Sequence, residues 1–170
     1  MKKDIIIPVL TLTLICLLVA GALALMNNAT APIILASAIE REQAAMHEKL
    51  PLANGFERIE YAQFPASVRD VYSSTNAQGH IFIAAVTGFS GDITVMAAVD
   101  EDGRIIDVST LSHTETQGIG TIIEMPTFLD LFIGRDSALG GVDTVAGATI
   151  STRAFIRAVD DIMTAFEMLP

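Results

Sequence analysis

The segment HIFIAAVTGFSGDITVMAAVDEDGRIIDVSTL, residues 80–111, decides the fold. His80 to Thr87 and Asp92 to Val99 are apolar runs rich in β-branched residues, and Arg104 to Leu111 is a third run of strand length. Gly88-Phe89-Ser90-Gly91 and Asp100-Glu101-Asp102-Gly103 separate them. Runs of this length joined by short glycine-bearing turns predict an antiparallel meander. Upstream, Phe56 to Val71 is mixed and interrupted by Pro65, which predicts short strands or turns, and Ser73 to Gly79 is rich in turn formers. Downstream, Thr127 to Ile133 suits a short helix. Ile150, Ala154, Phe155, Ala158, Ile162, Met163 and Phe166 recur at three- and four-residue steps, which predicts an amphipathic helix. The expected class is α+β, an antiparallel-rich sheet with a C-terminal helix on one face.

The N-terminal third has a different character. No charged side chain occurs between Ile5 and Ala38, and Ile5 to Met26 is almost wholly apolar. At about 1.5 Å per residue that run reaches roughly 33 Å, enough to cross a hydrocarbon core of about 30 Å. Ala22-Leu23-Ala24 resembles a signal-peptide cleavage site, but the apolar region of such peptides is about 7–15 residues long. An uncleaved transmembrane helix is therefore expected over 5–26, with Pro8 in its first turn. Asn27 to Pro32 reads as a polar, proline-marked break. Ile33 to Leu50 reads as a stalk helix with Ile34, Ala38, Ala45 and Leu50 near one face, ended by Pro51. The expected organisation is a cytoplasmic N-terminus (1–4), the membrane helix (5–26), a juxtamembrane linker and stalk (27–55) and a folded domain (56–170).

Charge orients this arrangement. Lys2 and Lys3 precede the span, and cationic flanks tend to remain cytoplasmic. Beyond Asp4 the chain carries 8 Lys plus Arg against 19 Asp plus Glu, so the domain is expected on the outer, periplasmic side of the cytoplasmic membrane. The acidic balance argues against nucleic acid as a partner, which demands a basic face. The single cysteine, Cys16, lies within the span, so no disulfide or cysteine-ligated cluster can form from this chain alone.

Two stretches carry candidate chemistry. Asp143-Thr144-Val145-Ala146-Gly147-Ala148-Thr149-Ile150-Ser151-Thr152 is a small-residue turn feeding the last helix. Gly147 and Ala148 leave room for close approach, and the hydroxyls of Thr149, Ser151 and Thr152 fall near the unpaired N–H groups of the first helical turn. Such a terminus favours a phosphate; on these residues alone ordinary N-capping by Thr149 or Ser151 is the simpler reading. The second stretch, Leu111-Ser112-His113-Thr114-Glu115-Thr116-Gln117-Gly118-Ile119-Gly120, is a loop whose glycines allow its backbone to lie close to a ligand. His113 and Glu115 alone are too few for a metal site, and no metal is expected. A hydrolase using a Ser or Thr nucleophile with His113 as base lacks a nucleophile elbow.

Taken together and in order, these stretches resemble the FMN-binding family that includes the G subunit of Rnf complexes and the C subunit of sodium-translocating NADH:quinone reductases. The family's Ser/Thr-Gly-Ala-Thr followed by a further hydroxyl is matched by Ala146 to Ser151, its upstream Asp by Asp143, and its His-x-Glu-Thr-Pro-Gly-x-Gly loop by His113 to Gly120. Gly88 to Gly91, Asp102-Gly103 and the Asn28-x-Thr30-x-Pro32-Ile33 stretch after the span also match. The compact length and the Thr149-Ile150-Ser151-Thr152-Arg153-Ala154 run are nearer the Rnf branch. Ala146 and Gln117 depart from the family's Ser/Thr and Pro.

The resemblance implies that a flavin transferase, recognising Asp143, Gly147 and Ala148, attaches FMN through its phosphate to Thr149. It also implies that Gly147, Ala148, Ser151, Thr152, Glu115, Thr116 and Gly118 contact the cofactor. The implied role is an electron relay, with no substrate turnover of its own, within a membrane complex coupling ferredoxin:NAD electron flow to ion transport. The quinone-reductase branch, or a flavin-free anchored scaffold, is the alternative.

Overall fold

The computed structural model describes residues 2–60, 63–136 and 139–169, with the backbone alone for 2–5. The charges of Lys2 and Lys3, on which orientation was read, thus lie outside the described side chains, as do Tyr61 and Ala62 of the mixed stretch. The chain forms two compact units, Met1–Gln43 and Ala44–Pro170.

Helix α1 (Lys2–Lys49) is continuous, which corrects the expected break over Asn27–Pro32. A proline withdraws one donor from the helical ladder, and the turns on both sides retain theirs. The Thr30 hydroxyl also donates to the Met26 carbonyl one turn back, at 2.8 Å. Because α1 begins at Lys2, Pro8 falls in the second turn and not the first. Ile6, Leu10, Leu14, Leu17 and their neighbours stand more than half exposed around this helix, as they would for contact with hydrocarbon. The helix ends at Lys49, just before Pro51, as the proline predicts.

The second unit is built on a five-stranded sheet in the order β1-β2-β3-β4-β5, every pairing antiparallel. The strands are β1 (Phe56–Arg58), β2 (Val68–Ser74), β3 (His80–Thr87), β4 (Asp92–Val99) and β5 (Ile105–His113). The three central strands fall where the glycine-bearing turns put them, and the mixed upstream stretch supplies the other two. β5 carries two register shifts against β4, at Ile106 and Leu111; each inserts a residue and increases local twist.

Both faces of the sheet are covered. On one face Phe82, Ala84, Val86, Ile93, Val95 and Ala97 pack against α3 (Thr149–Glu167) through Phe155, Ala158, Val159 and Ile162. On the other, Ile81, Ile83, Met96 and Ala98 pack against Met46, Leu50 and Ala53. The folded unit therefore begins upstream of Phe56, where the sequence reading started the domain. Lys49, at the end of the expected stalk helix, is buried there and pairs with Asp107 of β5 at 3.2 Å.

Between β5 and α3 the chain forms a 3₁₀ turn (Gly120–Glu124) and α2 (Pro126–Leu129), shorter than the helix expected over Thr127–Ile133. Phe128 and Phe132 both turn into the core, each with its ring centroid 5.4 Å from Phe155. The phenylalanine cluster ties this segment, and the loop before it, to the start of α3.

A cleft at the start of the last helix

The turn before α3 is held from within. Gly147 has φ +87°, a left-handed conformation that a side chain would strain. The Thr152 hydroxyl donates to the Ala148 carbonyl at 2.9 Å and accepts from the Val145 amide at 3.2 Å. Thr152 is fully buried, so its hydroxyl staples the turn to the helix and does not face a ligand. Ala148 is the N-cap and makes no side-chain cap bond; neither Thr149 nor Ser151 caps. The first amides of α3 thus remain available, as at any helix start. Thr149 occupies the first helical position, half-exposed, its hydroxyl making only a long 3.4 Å bond to the Val145 carbonyl.

Glu115 organises the opposite wall. It is 7% exposed. One carboxylate oxygen accepts from the Phe89 and Ser90 amides at 2.8 and 2.9 Å. The other accepts from the Ser151 hydroxyl. Burial pushes this carboxyl up. The bonds from Ser151, Ser90 and Phe89, with His113 nearby, outweigh burial and hold it below the usual carboxylate range. The clasp demands glycine at two places: a Cβ on Gly88 would stand 2.5 Å from the carboxylate, and one on Gly120 would stand 2.6 Å from the Glu115 Cβ. Glu115 therefore joins three separate segments: the β3–β4 turn, the loop after β5 and the first turn of α3.

His113 stands behind this clasp. Its Nδ1 accepts from the Glu115 amide at 3.0 Å and its Nε2 lies 3.0 Å from Glu124, which assigns the proton to Nε2 when the ring is neutral. His113 and Glu115 thus face different partners and do not converge on one point.

Phe89, Glu115, Thr116, Ile119, Gly120, Gly147, Ala148, Thr149, Ile150 and Ser151 enclose a cleft of about 350 Å³, within the range of small-molecule sites. Glu115, Thr116, Gly147, Ala148, Thr149 and Ser151, singled out from the sequence, come together here. Gly118, Thr152 and Asp143 do not line it, and Asp143 is exposed on the preceding loop. Phe89, Ile119, Gly120 and Ile150 were not singled out as contacts. Ile150 was read as a core position of the helix but stands 53% exposed at the cleft, with Phe89 at 66% and Ile119 at 54%. An apolar wall beside a helix N-terminus with a weakly held hydroxyl suits an aromatic ring bearing a phosphate.

Comparison with known proteins points the same way. Residues 88–164 match the FMN-binding domain family, a span that starts at the β3–β4 turn and ends within α3. The chain is similar to the G subunit of the ion-translocating oxidoreductase complex of Methanosarcina acetivorans, 29% identical over 93% of this chain and 92% of that protein. It is also similar to the G subunits of the corresponding complexes of Stutzerimonas stutzeri, 31% identical over 88% and 75%, and of Cereibacter sphaeroides, 30% identical over 98% and 86%.

Proposed function

We propose a function from one premise: the chain belongs to the family of G subunits of ion-translocating oxidoreductase complexes and carries that family's FMN-binding domain. On that premise it is a membrane-bound electron-transfer subunit that works among the other subunits of such a complex. FMN is its cofactor, joined through the phosphate to Thr149. The bound flavin supplies one- and two-electron redox chemistry.

The observation that carries this reading is the Thr149 hydroxyl, half-exposed at the first position of α3 and lining the cleft. In forming the ester its oxygen gives up a proton and displaces the leaving group from the FMN phosphorus of an activated, phosphoanhydride-linked flavin donor held by the transferase. The anhydride P–O bond breaks and the other nucleotide half departs, so the chain gains FMN less one water. The α3 amides face the phosphate's charge. Phe89, Ile119 and Ile150 give the ring an apolar wall, and Thr116 and Gly120 lie on the loop across from Thr149. Ser151 acts through Glu115, and Thr152 through the turn it staples. Asp143, Gly147 and Ala148 form the stretch a flavin transferase recognises; the exposure of Asp143 and the left-handed backbone at Gly147 support that role.

A covalent link keeps a relay charged with cofactor outside the cytoplasm. The cationic Lys2 and Lys3 support a cytoplasmic N-terminus and an outward-facing domain. Thr149→Ala tests the reading. The hydroxyl contributes little to the fold, so the variant should accumulate as a folded chain whose denatured gel band has lost flavin fluorescence. Fluorescence that survives the substitution, with the transferase present, refutes Thr149 as the attachment site.

A further inference from the structure

The cations of the folded unit are unevenly used. Lys49 pairs with Asp107 and Arg58 with Asp70. Arg104 donates to the Gly134 carbonyl, and Arg135 to those of Leu131 and Gly140. Arg153 and Arg157 are both exposed and, like Arg69 on β2, make no hydrogen bond or ion pair among the described residues. They sit four residues apart on α3, where like charges share a face and repel. Asp161, one turn on, is taken by the Ser67 hydroxyl at 2.6 Å.

The two arginines line a hollow of about 190 Å³ with Thr87, Ile150 and Ala154. Ile150 also lines the cleft, so the hollow adjoins it. The shared residue, Ile150, is exposed, and Phe89 stands exposed on the cleft's own lining. Aromatic and aliphatic side chains beside unpaired arginines are the composition of a protein interface core.

We propose that this face is the docking surface for the partner protein that exchanges electrons with the cleft's cofactor, and that the partner presents carboxylates to Arg153 and Arg157. The proposal rests on the reading of the cleft as a flavin site. Charge selects a protein partner. The chain carries a formal −10, which disfavours approach to an extended anionic surface such as a lipid leaflet. A local acidic patch, matched in shape, meets the two cations within the screening length. A small polyanion in the hollow would meet Thr87, whose hydroxyl is already bonded to the Asp92 carboxylate at 3.1 Å.

The test uses the full chain, tagged, in its membrane complex, as wild type, R153E/R157E and R153K/R157K. The complex subunits retained are identified and quantified across a salt series, and the rate of flavin reduction through the complex is followed in parallel. Charge reversal is expected to lower the rate or the retention roughly tenfold or more; the lysine pair should keep most of both, and wild-type behaviour should weaken with salt. An unchanged rate and retention after charge reversal overturns the proposal. So does arginine-dependent capture of the chain by anionic vesicles with subunit retention unaltered. Retention does not require flavin, so the two claims fail separately. A flavin-free wild-type band refutes the cofactor reading, whereas a flavin-bearing chain indifferent to charge reversal refutes only the docking surface.

Discussion

Removing the Glu115 carboxylate should loosen three segments at once. In Glu115→Ala the Ser151 hydroxyl, 3% exposed, loses its acceptor without access to water, while the Phe89 and Ser90 amides belong to an exposed turn and rehydrate. Each bond to a charged acceptor contributes about 1.5–3 kcal/mol. Allowing for rehydration of the two amides, the loss should be about 2–4 kcal/mol, or roughly 10 °C in melting temperature for a domain of this size. Glu115→Gln keeps an acceptor for the amides and should cost only about 1 kcal/mol. The pH dependence separates the two effects. A carboxyl held below its usual range contributes stability that is present above the ordinary glutamate value and lost as pH falls through its folded-state value. Wild type should therefore weaken as pH drops below about 4.3, and both variants should show a shallower decline there. Thermal unfolding of the detergent-solubilised chain, followed by circular dichroism across pH, measures this. A Glu115→Ala chain within about 0.5 kcal/mol of wild type and with the same acid limb would refute the clasp.

Thr152→Val keeps shape but orphans the Val145 amide, so it should cost about 1–3 kcal/mol and lower flavin loading by loosening the turn before Thr149, read by melting and in-gel fluorescence. His80, packed against Phe82 and Phe166 with an unpartnered buried Nδ1, is held below the ordinary histidine value by burial, against the pull of Glu101 at 3.8 Å. Its neutral form favours the fold, so wild type should lose stability as pH falls below about 6.5 while His80→Leu shows a flatter profile; parallel profiles would dismiss the effect.

Much of the architecture was legible because its signals are local. β3 and β4 are bounded by glycine turns and filled with β-branched residues, and α3 announces itself through Phe155, Ala158 and Ile162. Where the sequence reading went astray, the reason was an interaction the local pattern does not encode. Pro32 looked like a break, yet one missing donor did not stop α1. Met46 and Leu50 looked like part of a stalk, and only the sheet's second face shows what they cover. Ile150 fits the apolar period of α3 but faces the cleft, while Ser151 and Thr152 of the same turn are the residues buried.

The site divides in the same way. The small-residue turn with its hydroxyls could be picked out residue by residue, and the family resemblance singled out Thr149 among them. Glu115 stood out as a member of a loop, but its bonds reach Ser90 and Ser151 across 25 and 36 residues. No spacing rule joins those positions. Phe89 was in view as part of a turn; the antiparallel pairing of β3 with β4 is what brings that turn to the cleft. The neighbouring glycines, Gly88 and Gly120, signal the clasp only once the carboxylate between them is seen.

The most direct test of the central claim is the intact mass of the chain purified from membranes of cells that contain the flavin transferase, beside Thr149→Ala from the same cells. The account predicts the polypeptide mass plus FMN less one water for wild type, and the bare polypeptide mass for the variant. A wild-type chain at its bare mass, or an equal added mass on both, would contradict it.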